Sequence, residues 1–285
     1  MAGKFATSWN LFKSSWNVLK ADKELAVIPV MSAVCSLVVV AVMGVGLFLT
    51  ARPSTGLRLR EAGGQIEATQ YSATPLTYVV GVVGYVALSV VITFFAGVLV
   101  AGAYQRLTGG DPTLASAFSA AAKRFPQLLL WSLLVATVGL ILNAVKERSG
   151  FLGDLVANLV GAALEIVTWL AVPVIVVEGT GPLDSLKRSA NLFKKTWGEN
   201  LIAQGGFGLA GLVVMLPGLV ISAAVIAVLP LVGAVMLVAY VALVTVLLSA
   251  LSGIYRTALY MFASTGEAPG FFDQSQLVAA FGPKR

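Results

Sequence analysis

The sequence predicts an all-α, polytopic membrane helix bundle: six transmembrane helices in three hairpins, each preceded by a cytoplasmic, interfacial amphipathic helix. Three observations carry this. Only 11% of the 285 residues are charged and the mean hydropathy is +0.91, whereas about a quarter of an ordinary globular chain is charged. Apolar runs of the roughly 20 residues needed to cross a hydrocarbon core recur along the chain. A basic, aromatic segment, Ser8-Trp9-Asn10-Leu11-Phe12-Lys13-Ser14-Ser15-Trp16, also returns as Ser189-Ala190-Asn191-Leu192-Phe193-Lys194-Lys195-Thr196-Trp197, each time before an apolar run. Such self-similarity is the mark of an internal repeat. No separate soluble domain is visible, so residues 1–285 read as one integral membrane domain.

The first interfacial helix is expected over 5–20. Phe5, Trp9, Phe12, Trp16 and Leu19 follow one another at steps of four, three, four and three, one stripe of an α-helix, and Lys13 and Lys20 fall off it. Indole rings prefer head-group depth, and a basic face opposite them suits a helix lying in the interface. A first span covers 25–50. The polar external loop 52–75 alternates at Leu57-Arg58-Leu59-Arg60 and again at Gln65-Ile66-Glu67-Ala68-Thr69, around Gly63-Gly64, which reads as a β-hairpin or an irregular loop. The second span, 76–104, carries Gly81, Gly84, Gly97 and Gly102, thin places where helices can approach closely.

After a turn at 108–112 the interfacial spacing returns over 113–125 with Leu114, Phe118, Ala121 and Phe125. Spans at 126–145 and 155–177 are joined by a short connection at 146–150. The second strong interfacial helix covers 183–197, with Leu183, Leu186, Ala190, Phe193 and Trp197 on one stripe. Residues 201–255 contain no charged side chain and hold two spans, 201–226 and 230–255, with a kink expected at Pro217-Gly218 and a turn at Pro230. A terminal interfacial segment covers 270–281. Gly109, Gly179 and Gly266 each stand three residues before a proline, a recurrent turn signal between a span and the helix that follows it.

The formal net charge is +6, and its basic residues flank the spans. Anionic lipid head groups are therefore the expected partners, with a membrane-protein partner or a second copy as alternatives, rather than nucleic acid. This plan puts fourteen of the 19 Lys and Arg on the side of both termini, which makes that side cytoplasmic. The N-terminus lacks the apolar region and cleavage site of a secretory signal. With no histidine in the chain, a Ser-His-Asp triad, a Cys-His pair and an HExxH zinc site are all excluded. The single cysteine, Cys35, lies within the first apolar run and forms no internal disulfide. We expect no catalytic residues, no cofactor and no metal.

Two groups of residues stand out. Glu165 is the ionisable side chain well inside a predicted span; Asn158 lies seven residues before it and Thr168 three after, on one helical face. A carboxylate there is costly unless protonated, paired or watered, so the stripe lines a solute path, hydrogen-bonds to a neighbouring helix or meets a partner protein. Trp9, Lys13, Trp16, Lys187, Arg188, Lys194, Lys195 and Trp197 form the second group, either depth anchors or a docking collar for lipid or protein. Residues 205–211 are glycine-rich but lack the lysine of a phosphate cradle.

The segment from Phe12 through Ser15-Trp16, Leu19-Lys20 and Asp22-Lys23-Glu24-Leu25 to Pro29, then Pro173 with Glu178-Gly179, then Ser189 through Leu192-Phe193-Lys194-Lys195-Thr196-Trp197-Gly198-Glu199, resembles a prokaryotic integral-membrane family known as a domain of unknown function. The likeness covers almost the whole chain, including Phe94-Phe95 and the 265–269 turn. In plan the chain is also distantly similar to the membrane domain attached to some glycerophosphodiester phosphodiesterases, without their catalytic domain. The resemblance implies a prokaryotic inner-membrane fold and carries no activity or site residues. The expectation is a non-enzymatic structural or accessory subunit that organises lipids or partner proteins. The alternative is a small-solute or lipid transporter using Glu165.

Overall fold

The computed structural model describes residues 2–61, 64–196 and 206–281. Apart from one hairpin of strands, its elements are helices. In order they are α1 (Ala2–Ala21), α2 (Glu24–Thr50), β1 (Arg52–Glu61), β2 (Gly64–Ser72), α3 (Pro75–Leu107), α4 (Leu114–Lys123), α5 (Phe125–Thr168), α6 (Ala171–Glu178), α7 (Pro182–Thr196), α8 (Gly206–Val228), α9 (Pro230–Thr265) and α10 (Gln274–Phe281). Prolines open several of them: Pro75 and Pro230 stand in the first turns of α3 and α9, where the missing N–H has no intrahelical partner to lose. Reciprocal capping boxes start α3 (Thr74 with Thr77) and α4 (Thr113 with Ser116).

Among the described residues, five helices are long and apolar enough to cross a membrane: Glu24–Thr50, Pro75–Leu107, Phe125–Glu147, Gly153–Glu178 and Pro230–Thr265. The protein is a multi-pass membrane protein. The shorter apolar stretch Val213–Val228 lies within α8. Of the expected 201–226 span, residues 201–205 lie outside the described residues, and so does Trp197.

Helical turns run without a break from Phe125 to Thr168, through the connection expected at 146–150, where Lys, Glu and Arg are all good helix formers. The segment is not straight. A methyl group added at Gly161 would meet Leu142 Cδ1 at 3.9 Å, whereas a straight helix would hold those residues about 28 Å apart. Near the base of the same segment, Leu128 and Val176 both pack against Gly97 of α3. The chain therefore doubles back between the two limbs. The break comes later, at Trp169–Leu170, four residues before Pro173; the proline ring would clash with the Trp169 carbonyl and cannot donate to it.

Elsewhere the close contacts are antiparallel and built on glycine. Gly84 faces Met43 and Gly46 faces Val80 between α2 and α3. Between α8 and α9, Gly211 faces Leu248, Gly218 lies under the Tyr240 ring, and Gly233 touches the backbone of Ile226; Tyr240 Oη donates to the Val214 carbonyl. Pro217 sits inside α8, which continues through it. Beyond α2, β1 pairs antiparallel with β2, placing Leu59 opposite Ile66 and Arg60 opposite Gln65, with an irregularity between Ser54 and Leu57.

Burial is one-ended. The main core joins Leu11 and Val18 of α1, Leu25 of α2, Val98 and Ala103 of α3, Ala117 of α4, Val174 of α6, Leu192 of α7, Ile254 and Leu259 of α9, and Leu277 of α10. The other halves of α2, α3 and α9 expose Leu37, Val42, Val79, Val83, Val235 and Val238. Apolar side chains facing outward along three long apolar helices are what a hydrocarbon environment selects.

At the core end each span closes on a left-handed glycine, Gly109 (φ 89°), Gly179 (φ 72°) and Gly266 (φ 80°). The Gly179 and Gly266 N–H groups return to the carbonyls of Ile175 and Phe262, satisfying acceptors that a helix end leaves open. These are the three glycines that the spacing to proline singled out. We predict that Gly109→Ala and Gly266→Ala each cost about 1–2 kcal/mol for the forced left-handed backbone, because nothing lies within 4 Å of an added methyl at either. Gly179→Ala is expected to cost a similar amount, since the Arg124 guanidinium in that space is the far end of a flexible side chain and can move aside; chemical denaturation of the three variants in one detergent checks this.

Candidate functional site

The sequence-matched segments lie in α1 over 8–16 and in α7 over 189–196, the described part of the second. Leu11 is 2% exposed and Leu192 3%, and Lys13 and Lys194 are exposed. The face that enters the core coincides only in part with the aromatic stripe read from the sequence, whose Leu19 and Phe193 are buried. In α1 the deeply buried positions are Leu11, Ser15 and Val18, offset by one residue from Trp9, Phe12 and Trp16, which are half-buried at its edge. In α7 they are Ser185, Ser189 and Leu192, while Leu183 is exposed. Serine is what lets these helices approach: Ser15 Oγ donates to the Leu11 carbonyl 3.2 Å away, and Ser189 Oγ donates across to the Val167 carbonyl of α5. A buried hydroxyl with a partner costs little, and its small volume allows close packing.

The offset leaves the aromatic edge of α1 facing the α8–α9 hairpin. There Trp9, Phe12, Lys13 and Trp16 line a cavity of about 300 Å³ with Val214 of α8 and Leu248 of α9 among its other walls. Trp9 and Phe12 stack at 5.5 Å, and the Lys20 ammonium stands 5.7 Å over the Trp16 ring. In α7 the residue corresponding to Phe12, Phe193, is buried and approaches Trp169 at 6.1 Å.

Polar clamps fix the short helices to the span ends. Glu24 Oε2 accepts from the Leu114 N–H at 2.6 Å, so the first turn of α2 caps α4, where negative charge suits a helix N-terminus. Arg106 donates to Gly110 O, Asp111 Oδ1 and Ala21 O, joining the first glycine turn to the end of α1. Glu178 Oε1 accepts from Arg188 Nε at 3.1 Å and Tyr260 Oη at 3.0 Å, tying α6, α7 and α9. At the third turn Gln274 accepts from the Ala268 N–H and donates to the Gly266 carbonyl. Asp22, buried between α1 and α2 with Oδ2 unpartnered, has its carboxyl pushed above the usual range by burial, an effect that the Arg106 guanidinium and the Glu24 N–H partly offset.

Glu165 and Asn158 are exposed on the outer face of α5. Thr168 Oγ1 donates within its own helix to the Leu164 carbonyl at 2.7 Å. None of the three lines the cavity beside α1. Glu165 lies within electrostatic reach of Arg256, whose guanidinium stands 5.7 Å over the Trp169 ring. The structure thus brings Trp9, Lys13 and Trp16 together at one groove. It sets Arg188 in the Glu178 clamp and leaves Lys187 and Lys194 exposed. The Lys195 side chain and Trp197 lie outside what is described. Sequence reasoning did not single out Glu24, Arg106, Glu178 or Tyr260 as clamps; Arg106, Glu178 and Tyr260 stand within six residues of a recurrent Gly-Pro turn, and nothing in the sequence marked Glu24.

Residues 75–271 match the family of unknown function DUF6159. The chain belongs to this family. The match runs from the start of α3 to the third glycine turn, so α1 and α2 precede it. The uncharacterized protein Rv2560 of Mycobacterium tuberculosis (strain ATCC 25618 / H37Rv) is 28% identical over 198 residues, 69% of this chain and 54% of the mycobacterial protein. The matched region thus spans about half the length of that relative. The DUF6159 region holds the three glycine turns and the Glu178 clamp, while the α1 wall of the groove lies outside it.

The raised Asp22 carboxyl gives a prediction with a definite sign. The folded state holds that proton more tightly than the unfolded chain, so its contribution to stability is full below the ordinary carboxylate range and lost as pH rises through the raised folded value. Asp22→Asn keeps an acceptor for the Glu24 N–H and removes the charge. We expect the variant to melt higher than the parent at pH 7–8, to match it near pH 4 and to show a flatter pH profile between, as read by thermal unfolding in detergent.

Proposed function

We propose that this DUF6159 protein is a non-enzymatic subunit of a prokaryotic cytoplasmic membrane, a structural or accessory protein that organises lipids or partner proteins through a collar of short helices. In this reading six spans form three hairpins: α2 with α3, the two limbs of α5 continued by α6, and α8 with α9. The 23 residues of α8 amount to about 34 Å of helix, enough for a sixth crossing. The three glycine turns are one device used three times, each returning the chain to an interfacial helix. The bias of Lys and Arg puts the collar and both termini on the cytoplasmic side.

The observation that carries the proposal is where the packing lies. The buried core gathers α1, α4, α7 and α10 around the span ends, and their basic residues Lys13, Lys187 and Lys194 stay exposed, available to anionic head groups. The transport alternative has less support. Glu165 and Asn158 face outward and Thr168 is satisfied within its helix, so the polar stripe does not converge on a path.

Purification in native-lipid particles tests the reading, which expects enrichment of anionic lipid, with a membrane protein or a second copy as the further partner. A strictly monomeric species with neither would overturn it. In reconstituted vesicles Glu165→Gln is expected to leave ion and solute fluxes as in the parent; loss of a proton-linked flux that the parent carries would decide for the transporter.

A further inference from the structure

The cavity between α1 and the α8–α9 hairpin combines an apolar interior with one charged wall residue. Among the described residues Lys13 is the one charged side chain in its lining, and no acid stands with it there. Trp9 precedes Lys13 by four positions and Trp16 follows it by three, so all three lie on one side of α1. Lys13 is exposed, and a lysine so placed can lay its methylenes on apolar surface while its ammonium reaches water. The far wall belongs to two apolar helices whose neighbouring side chains, Val213, Leu216 and Leu243, are exposed on the outer surface. The groove is thus continuous with the surface that hydrocarbon covers. An occupant complementary to it has an apolar chain and an anionic head.

We propose that this groove is a binding site for an anionic glycerophospholipid, with one acyl chain between α1 and α9 and the phosphate held by Lys13. The inference rests on the lipid-organising reading and narrows it to one site. Trp9 and Trp16 bracket the head group at the depth indoles favour. Lys13 supplies the charge complementarity, about one kcal/mol for a basic residue at a membrane surface. The corresponding place on α7 is occupied from within, because Phe193 is buried beside Trp169.

Native mass spectrometry of the full chain, released from neutral detergent with defined phosphatidylglycerol or phosphatidylcholine, tests the site. One phosphatidylglycerol per chain is expected to survive delipidation, in preference to phosphatidylcholine. Lys13→Gln should lower its retention about fivefold, and Leu247→Trp, which fills the groove from the α9 wall, should abolish it. Arg52→Gln, at the start of β1 beyond the far end of α2, should change neither, and thermal melts establish that each variant is folded. Equal retention by the parent, Lys13→Gln and a folded Leu247→Trp would overturn the site while leaving a general preference of the collar for anionic lipid intact. Absence of any preference in the parent would sink both readings. A dimer that Lys13→Gln dissociates would show the groove to be filled by a second copy, and would overturn the lipid assignment.

Discussion

Hydrocarbon gives apolar helices no solvent reason to associate, because a lipid tail is as apolar as a leucine. Everything distinctive about this fold follows from where the chain obtains cohesion instead. At the end where α1, α4, α7 and α10 gather, water is available and burial of Leu11, Val18, Leu192 and Leu277 is driven in the usual way. Along the exposed halves of α2, α3 and α9 that drive is absent, and the contacts depend on close approach at glycine. Gly218 under Tyr240 and Gly233 against Ile226 let two backbones meet. Two regimes of packing share one helix, and the border between them runs across α3 and α9.

That division explains why polar clamps concentrate at one end. The first and last turns of a helix leave N–H and C=O groups without partners, and six or more such ends meet within the collar. Glu24 satisfies the start of α4 from a neighbouring helix, Arg106 collects the carbonyls of Ala21 and Gly110, and Gln274 closes the third turn on itself. Each clamp sits beside a left-handed glycine, since that geometry turns the chain sharply enough to bring the next helix back over the span end. The charged residues of these clamps therefore serve the fold.

Much of this was legible in the sequence because the periodicities are strong. Apolar runs located the helices, and proline or glycine marked their ends. The pairing of Gly109, Gly179 and Gly266 with downstream prolines identified the left-handed turns. What could not be read was rotation. The stripe from Trp9 to Trp16 is the most hydrophobic face of α1, yet Leu11, Ser15 and Val18 face the core, because in a membrane protein the bulkiest apolar face has a second place to go. Small hydroxyl residues win the protein-facing side by permitting approach, and hydropathy scores them as polar. The break at Trp169 was missed for a related reason: Pro173 was seen, but its clash falls a full turn earlier.

The same loss of rotational information governs Glu165. Depth along a span can be counted from sequence, and the count places a carboxylate far from either end; the direction in which it points cannot be counted. In the structure it faces outward, within reach of Arg256 on α9, and Arg256 in turn lies over Trp169, which touches Phe193 of α7. The indole accepts the cation on its face. A carboxylate, a guanidinium and two aromatic rings thus form a chain from α5 through α9 to α7. This adds an electrostatic link between the second collar helix and the spans, as the Arg106 guanidinium on the Ala21 carbonyl does for α1. Two segments that match at six of nine positions thus meet different neighbours. Phe12 of the first lines the groove beside α8 and α9, while Phe193 of the second lies against Trp169.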